Sequence, residues 1–235
     1  MNLLLLHDAD FISADRVRIS DRRLHHLNTV NQASVGQKLR AGRLAGLQGQ
    51  ATVLAIDAQY AELQVELLDP PPAKLPITLL LALPRPKMLR RTLQTIASMG
   101  VDKLVLINSY RVEKSFWQTP FLKPEAIMAE LILGLEQARD TVLPEVILAK
   151  RFKPFVQDEL PALVANTRGL IAHPGDFPEC PRGLNEPVTL AIGPEGGWIP
   201  YEVDLLMQAG LKPVQLGERI LRVETAVPAL LARLF

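Results

Sequence analysis

Hydrophobic and polar positions alternate in two different ways along the chain, and the change falls at the proline run 69–76, DPPPAKLP. Before that run the apolar segments are short. Residues 51–57 (ATVLAID) and 60–68 (YAELQVELL) predict strands. In the second, Leu63, Val65 and Leu67 share one face and Glu62, Gln64 and Glu66 the other, which is the two-residue period of a half-buried strand. Glycines at 36, 42, 46 and 49 punctuate the preceding residues, and 21–28 predicts a short helix. Residues 1–70 therefore read as a small, mostly β, barrel-like domain. Consecutive prolines keep the backbone extended and stiff, so 71–76 reads as a linker.

After the linker, apolar runs recur at 77–83, 103–108, 169–173, 188–193 and 213–217, with longer stretches of helical spacing between them. Pro86 suits the first turn of a helix that Gly100 stops. Residues 125–140 carry Ile127, Leu131 and Leu135 at helical spacing with Ile132 beside them. Residues 200–209 form a helix expected to bury Val203, Leu206 and Met207 and to stop at Gly210. A last helix is expected to start near Thr225 or Ala226, because Pro228 suits a first turn. Strands alternating with helices predict an α/β domain over 77–235 with a mainly parallel sheet, and such sheets bind ligands beyond the carboxyl ends of their strands. The turns at Gly193 and Gly217 both lie there.

Composition narrows the function classes. The 235 residues are 48% hydrophobic and 22% charged, which fits a globular protein. A formal net charge of +1 excludes overall basicity, so a nucleic-acid site has to come from local clusters. Two exist. Between 16 and 43 stand Arg16, Arg18, Arg22, Arg23, Lys38, Arg40 and Arg43 against Asp21; between 85 and 114 stand Arg85, Lys87, Arg90, Arg91, Lys103, Arg111 and Lys114 against Asp102 and Glu113. Such clusters position phosphates without reading sequence. Cys180 is the one cysteine, so neither an internal disulfide nor a zinc cluster is expected, and no metal site. The start, MNLLLLHDAD, lacks the basic region of a signal peptide, and the run 77–83 is far shorter than a membrane span. The expectation is a cytoplasmic protein with no membrane partner.

Two turns carry the candidate chemistry. The stretch 192–202, IGPEGGWIPYE, has the glycines of a phosphate loop but not its donors. Pro194 removes an N–H, Glu195 brings a negative charge, and no Lys-Ser or Lys-Thr follows. The turn suits close backbone approach to a neutral or cationic ligand, or serves as a plain strand-to-helix turn. The second turn, in 216–226 (LGERILRVETA), places Arg219 and Arg222 three apart and Glu224 at the positive end of the last helix.

Together, GPEGGW and LGERILRVETA resemble the ribosomal RNA small subunit methyltransferase E family, which belongs to the SPOUT class of S-adenosylmethionine-dependent RNA methyltransferases. Glu136-Gln137 with Pro144, His173-Pro174 and His25-His26-Leu27 resemble further segments of that family. The resemblance implies a PUA-like β-barrel RNA-binding domain at 1–70 and a SPOUT α/β domain with a deep trefoil knot at 77–235. It implies a homodimer that uses S-adenosyl-L-methionine to methylate N3 of a uridine in 16S rRNA of the 30S ribosomal subunit. By the same resemblance the cofactor is held by His173, Pro174, Ile192, Gly193, Pro194, Glu195, Gly196, Gly197, Leu216, Gly217, Ile220, Leu221, Arg222, Thr225 and Ala226. Arg222 is the candidate to stabilise the uracil anion or orient the base, with Glu224 and Glu195 as proton acceptors or sulfonium contacts. RNA contacts are expected from Arg16, Arg18, Arg22, Arg23, His26, Arg40, Arg43, Arg85, Lys87, Arg90, Arg91 and Arg139.

The sequence departs from the family pattern outside GPEGGW and LGERILRVETA. Val30-Asn31-Gln32 stands where Val-Leu-Arg is usual, Gln94-Thr95 replaces Gln-Lys, and Ser98-Met99-Gly100 replaces Glu-Leu-Gly. In Ala138-Arg139-Asp140 the arginine is shifted by one position, and Ile199-Pro200 stands where a capping Ser or Thr is usual. These departures leave open a paralogue that methylates another RNA position, and a non-catalytic RNA-binding protein on the same fold. A nucleotide-hydrolysing α/β enzyme is disfavoured by Pro194 and the missing lysine.

Overall fold

A computed structural model describes residues 2–235. The chain divides into two compact units, Met1–Ala73 with Ile132–Leu143, and Lys74–Leu131 with Pro144–Phe235.

The first unit contains β1 (Leu4–Leu6), β2 (Arg16–Ile19), α1 (Arg22–Thr29), β3 (Lys38–Arg43), β4 (Gln48–Ile56) and β5 (Ala61–Asp69). Its sheet runs in the order β1-β3-β4-β5-β2, with β1 parallel to β3 and the other pairs antiparallel. Alternation in β5 turns Leu63 and Val65 inward, where they meet Leu4, Leu6, Val17, Ile19 and Val53. Leu24 and Leu27 of α1 close this core. Gly49 sits at a register irregularity of β4, and a Cβ there would lie 2.1 Å from the Glu66 carbonyl oxygen, so only glycine fits.

Residues 132–143 return to this unit. The N–H groups of Asn2 and Leu3 donate to the Glu136 carbonyl at 3.2 and 3.0 Å. Arg22 grips the Glu136 carboxylate with both Nη atoms, at 3.0 and 2.7 Å. Ala45 N–H donates to the Thr141 carbonyl, and the Thr141 hydroxyl donates to Gly46.

Arg23 corrects the sequence expectation of an RNA contact. It is 3% exposed, with Nη1 and Nη2 donating to Asp10 at 2.6 and 2.7 Å and Nε and Nη2 donating to Asp21 at 2.9 and 2.8 Å. Nη1 also donates to the Leu5 carbonyl. A guanidinium buried between two carboxylates has neither the surface nor the spare donors for a phosphate.

In the second unit the elements are β6 (Leu75–Ala82), α2 (Pro86–Ser98), β7 (Val101–Ile107), α3 (Pro124–Ala138, whose second half belongs to the first unit), β8 (Glu145–Ala149), a helical run made of α4 (Phe152–Pro154), a π-turn (Phe155–Glu159) and α5 (Leu160–Val164), then β9 (Arg168–Ala172), β10 (Val188–Ile192), α6 (Pro200–Gln208), β11 (Lys212–Val214) and α7 (Val223–Leu234). The sheet runs β11-β9-β10-β6-β7-β8 and is parallel throughout. Every residue of β10 is buried, as expected of a parallel strand covered on both faces. Its one polar side chain, Thr189, donates to the Leu163 carbonyl and pairs with the Thr167 hydroxyl at 2.8 Å.

Four expectations shift. β6 begins at Leu75, inside the proline-rich run, and Pro76 sits where the register with β7 is irregular. α3 stops at Ala138 because Arg139 takes a left-handed conformation, φ 60°. α7 starts at Val223 and carries Pro228 inside, so the proline does not lie in the first turn. Pro228 has no N–H for the Glu224 carbonyl, and the helix persists because Val227, Leu230, Leu231 and Leu234 are buried. Met207 is exposed rather than buried.

The Arg23 cluster makes a stability prediction. Burial opposes ionisation of Asp21, but the hydrogen bonds and charge of Arg23 outweigh it and hold the Asp21 carboxyl below its ordinary value of 3.8. The stability gained is complete above that value and is lost as pH falls through the lowered one. Arg23→Ala should cost about 3 kcal/mol in urea unfolding at pH 7, by stranding Asp10, and should flatten the acid limb of the stability curve. A loss below about 0.5 kcal/mol, the range of ordinary surface changes, would contradict this account.

Candidate functional site

The register of three neighbouring strands sets the site. Ala172, the last residue of β9, pairs with Ile192 at the end of β10 and with Val214 at the end of β11. The chain therefore leaves all three strands at one level of the carboxyl edge, and the loops starting at His173, Gly193 and Gln215 converge. They enclose a cavity of about 250 Å³. From the first loop come His173 and Pro174; from the second, Ile192 and the turn Gly193, Pro194, Glu195, Gly196 and Gly197. The third loop gives Leu216, Gly217, Ile220 and Leu221, and α7 gives Ala226.

Thus all but two of the sequence-expected cofactor residues line one cavity. The two outside its wall are Arg222 and Thr225. Arg222 is the exposed N-cap of α7, and its carbonyl accepts from the Thr225 and Ala226 N–H groups. Glu224 is also off the wall, half-buried in the first turn of α7. The wall further contains Ala172, Val214, Gln215, Arg219, Val223 and Leu230. Val223, Ala226 and Leu230 are one helical stripe, recoverable from sequence only with the helix start placed at Val223.

The chemistry of the wall is apolar with few polar groups. Its charged members are Glu195 and Arg219, and it has no lysine. His173 is held by its backbone N–H on the Val214 carbonyl at 3.0 Å, with its ring 5.7 Å from that of Phe177. Its Nδ1 is buried and has no partner among the described residues. Burial lowers its pKa below the ordinary 6.5.

The glycine turn is narrow because its neighbours press on it. Gly197 N–H donates to the Pro194 carbonyl at 2.7 Å, with Gly197 at φ 74°. A Cβ on Gly193 would lie 3.1 Å from the Trp198 nitrogen and 3.2 Å from its ring, and one on Gly196 would lie 2.9 Å from Cδ of Arg111. Arg111 Nη1 donates to the Gly196 carbonyl, and the Arg85 N–H donates to Glu195 at 3.4 Å. Glu202, 2% exposed, accepts from Ile199 N–H at 3.1 Å, from Tyr110 N–H at 2.8 Å and from the Ser109 hydroxyl at 3.2 Å. Ile199 has no side-chain acceptor, so only the Glu202 half of a capping box forms. That carboxylate ties the loop after β7 to the glycine turn, a link that nothing in the sequence signals.

Gln215 joins the first and third loops. Its N–H donates to the Pro178 carbonyl at 3.0 Å, and its carbonyl accepts from Cys180 N–H at 2.8 Å.

The basic residues divide. Arg16 and Arg18 face Glu62 at 3.8 and 3.3 Å, Arg22 holds Glu136, and Arg43 holds Asp8 at 2.8 Å while stacking on Phe11. Arg90 pairs with Glu130 and stacks on Phe121. Arg40, Arg85, Lys87, Arg91 and Arg139 are exposed and make no ion pair among the described residues. His26 is half-buried on α1. No cluster of metal-ligating side chains occurs among the described residues, and no helix among them is long and apolar enough to cross a membrane.

Comparison with known proteins adds four findings. The family model of an RNA methyltransferase domain (Methyltrans_RNA) matches residues 71–235. The chain is 28% identical over 239 aligned residues to a ribosomal RNA small subunit methyltransferase E of Treponema pallidum, covering 97% of this chain and 88% of that protein. A protein of the same description from Synechocystis is 27% identical over 222 residues, covering 93% and 72%. Among solved structures, a ribosomal RNA small subunit methyltransferase E from Neisseria gonorrhoeae bound to S-adenosyl methionine superposes with TM-score 0.73 at 22% identity, covering 98% of this chain and 96% of that one. This last match shows a shared fold.

With its pKa lowered, His173 should be neutral at pH 7. An NMR titration of its ring protons should give a midpoint below 6.5. The stability retained by burying the neutral ring is present above that pH and falls as the ring is forced to charge. A midpoint above 6.5 would mean that a carboxylate approaches the ring.

Proposed function

The chain belongs to the RNA methyltransferase domain family, and from that premise we propose that it binds S-adenosyl-L-methionine in the cavity at the carboxyl ends of β9, β10 and β11 and methylates N3 of a uridine in 16S ribosomal RNA. The small-subunit target follows its relatives. The observation that carries the reading is the cavity itself: three loops meet at one level around a mostly apolar wall whose charged members are Glu195 and Arg219.

The residues present fit this cofactor. A Cβ at Gly193 or Gly196 would press on Trp198 or Arg111, and without side chains there the backbone stays open to an adenosine or methionine moiety. His173 Nδ1 is an unpaired polar atom on the wall. Glu195 supplies negative charge near a sulfonium, and a polyphosphate would find neither lysine nor a full row of N–H groups. When bound, S-adenosylmethionine supplies a methyl group on a positively charged sulfur.

The chain's own residues do the rest. The three loops hold the acceptor base behind the methyl carbon for in-line attack, and positioning accounts for much of the rate. Uracil N3 loses its proton, bonds to the methyl carbon, and the carbon–sulfur bond breaks to leave a neutral thioether. Arg222, between the wall residues Leu221 and Val223, stabilises the N3 anion or orients the base. Glu195 and Glu224 are the carboxylates available to accept the proton. The base has to leave its stack to enter.

The same reading includes a homodimer, a trefoil knot, a PUA-like RNA-binding first domain followed by a 71–76 linker, and a cytoplasmic setting. Ile220, 82% exposed, and Leu221 support a second copy covering the cavity rim. The exposed, unpaired Arg40, Arg85, Lys87, Arg91 and Arg139 support phosphate contacts.

Titration calorimetry should detect S-adenosylmethionine binding, and Gly193→Ala should weaken it at least tenfold by forcing the turn off Trp198. With methyl-labelled cofactor and 30S subunits, label should appear at uridine N3. Arg222→Ala should lower the transfer rate by about a hundredfold, the scale of a lost anion-stabilising donor, with cofactor affinity unchanged. Cofactor binding without label transfer to any RNA would favour a non-catalytic RNA-binding protein, and full transfer by Arg222→Ala would remove that arginine from the mechanism.

A further inference from the structure

The first unit has a second concave site. A cavity of about 310 Å³ has Leu4, Leu27 and Leu39 on its wall together with Lys38, Arg40 and Arg139. Asn31 also lines it. No carboxylate contributes to the wall, and none of the three cations makes an ion pair among the described residues. Lys38 and Arg40 share a face of β3 by the two-residue period, which fixes their spacing along the rim.

Two details indicate that the site is built for a ligand. First, Asn31 Oδ1 is buried and has no hydrogen-bond partner among the described residues. An unpaired buried acceptor is costly, so it persists where something else compensates. Second, both helix ends that deliver polar groups here pass through the left-handed region at non-glycine residues. Gln32 follows Asn31 with φ 47° after α1, and Arg139 follows α3 with φ 60°. Glycine is the usual residue for such a helix end, and a side chain there is strained. Arg139 is itself on the cavity wall and Gln32 directly follows the wall residue Asn31, and strain retained at such positions points to function.

We propose that this cavity is a nucleotide-binding subsite for one residue of the RNA substrate, with its phosphate on Lys38, Arg40 and Arg139 and its base over the leucines, donating an N–H to Asn31. The proposal rests on the RNA methyltransferase reading above and adds a contact point distinct from the cofactor cavity. The chemistry selects a nucleotide over simpler ligands. A bare phosphate uses the cations but leaves the leucines and the amide unmet. A cationic ligand is repelled. A nucleotide satisfies all three features, because its flat base has both an apolar face and N–H groups on its edge.

The test uses the full-length chain and separates binding from folding. Asn31→Leu removes the unpaired acceptor, and Arg139→Gly relieves the left-handed strain, so both variants should unfold at or above the wild-type urea midpoint. Both should nonetheless bind a labelled single-stranded RNA oligonucleotide at least fivefold more weakly in fluorescence anisotropy, with S-adenosylmethionine affinity unchanged. Arg40→Gln should reduce the slope of log affinity against log salt by about one. The Asn31 side-chain amide resonance should move on adding the oligonucleotide or uridine monophosphate, and stay still with inorganic phosphate. A shift with the mononucleotide but none with RNA would overturn the RNA assignment. Wild-type RNA affinity in both variants, with the wild-type chain binding RNA and cofactor normally, would overturn the subsite alone. Absence of any RNA binding by the wild-type chain would overturn both the subsite and the functional reading.

Discussion

In the parallel sheet of the second unit, Ala172 lies level with Ile192 on one side and Val214 on the other. Residues distant in the chain become neighbours because of that alignment. A one-residue slip of β10 would turn its side chains to the opposite face and carry Gly193 away from His173 and Gln215. The strand's buried, β-branched and aliphatic residues pin the alignment, and so does Thr189, whose hydroxyl bonds the Leu163 carbonyl and the Thr167 hydroxyl. The cavity is thus a consequence of core packing, expressed one residue beyond the strand ends.

The glycine turn depends on a second constraint, the buried carboxylate of Glu202. An ionised carboxyl away from water is unfavourable unless donors surround it, and Ile199, Tyr110 and Ser109 supply three. The same bonds fix the loop after β7 against the start of α6, which brings Arg111 across Gly196. The turn is pressed from one side by Arg111 and from another by Trp198, and its glycines are required by these neighbours as much as by any ligand. This reconciles the two readings of a glycine-rich turn, tight connection and binding loop: the same lack of side chains serves packing and access.

Charge is spent unevenly in the first unit. The dense run of arginines near its helix looks like a phosphate-binding surface in one dimension. In three dimensions Arg23 is a core residue, Arg22 holds the returning segment through Glu136, and Arg16, Arg18 and Arg43 face carboxylates. The cations left without a carboxylate, Lys38 and Arg40 on β3 and Arg139 after α3, are brought together by the fold, although Arg139 lies about a hundred residues away in sequence. Their grouping requires residues 132–143 to pack with the first unit.

The sequence alone determined the α/β character of the second unit, the strands at 77–83, 103–108, 169–173 and 188–193 within a few residues, and the two turns that meet at the cavity. These are local properties: a buried parallel strand needs an apolar run, and a turn that admits no Cβ needs glycine. In the first unit β1, β2 and β3 were not legible, because these short segments show no clear two-residue period and form through their partners. The start of α7 was misplaced because Pro228 has a strong local preference that four buried side chains override. Tertiary structure alone decided that Arg23 is buried, that Glu202 links two loops, that Asn31 and Arg139 line one cavity, and that Arg222 stands beside the cavity wall rather than in it. Each of these depends on which distant carboxylate, donor or strand end lies within hydrogen-bonding reach, and that is a property of the packed chain, absent from any window of the sequence.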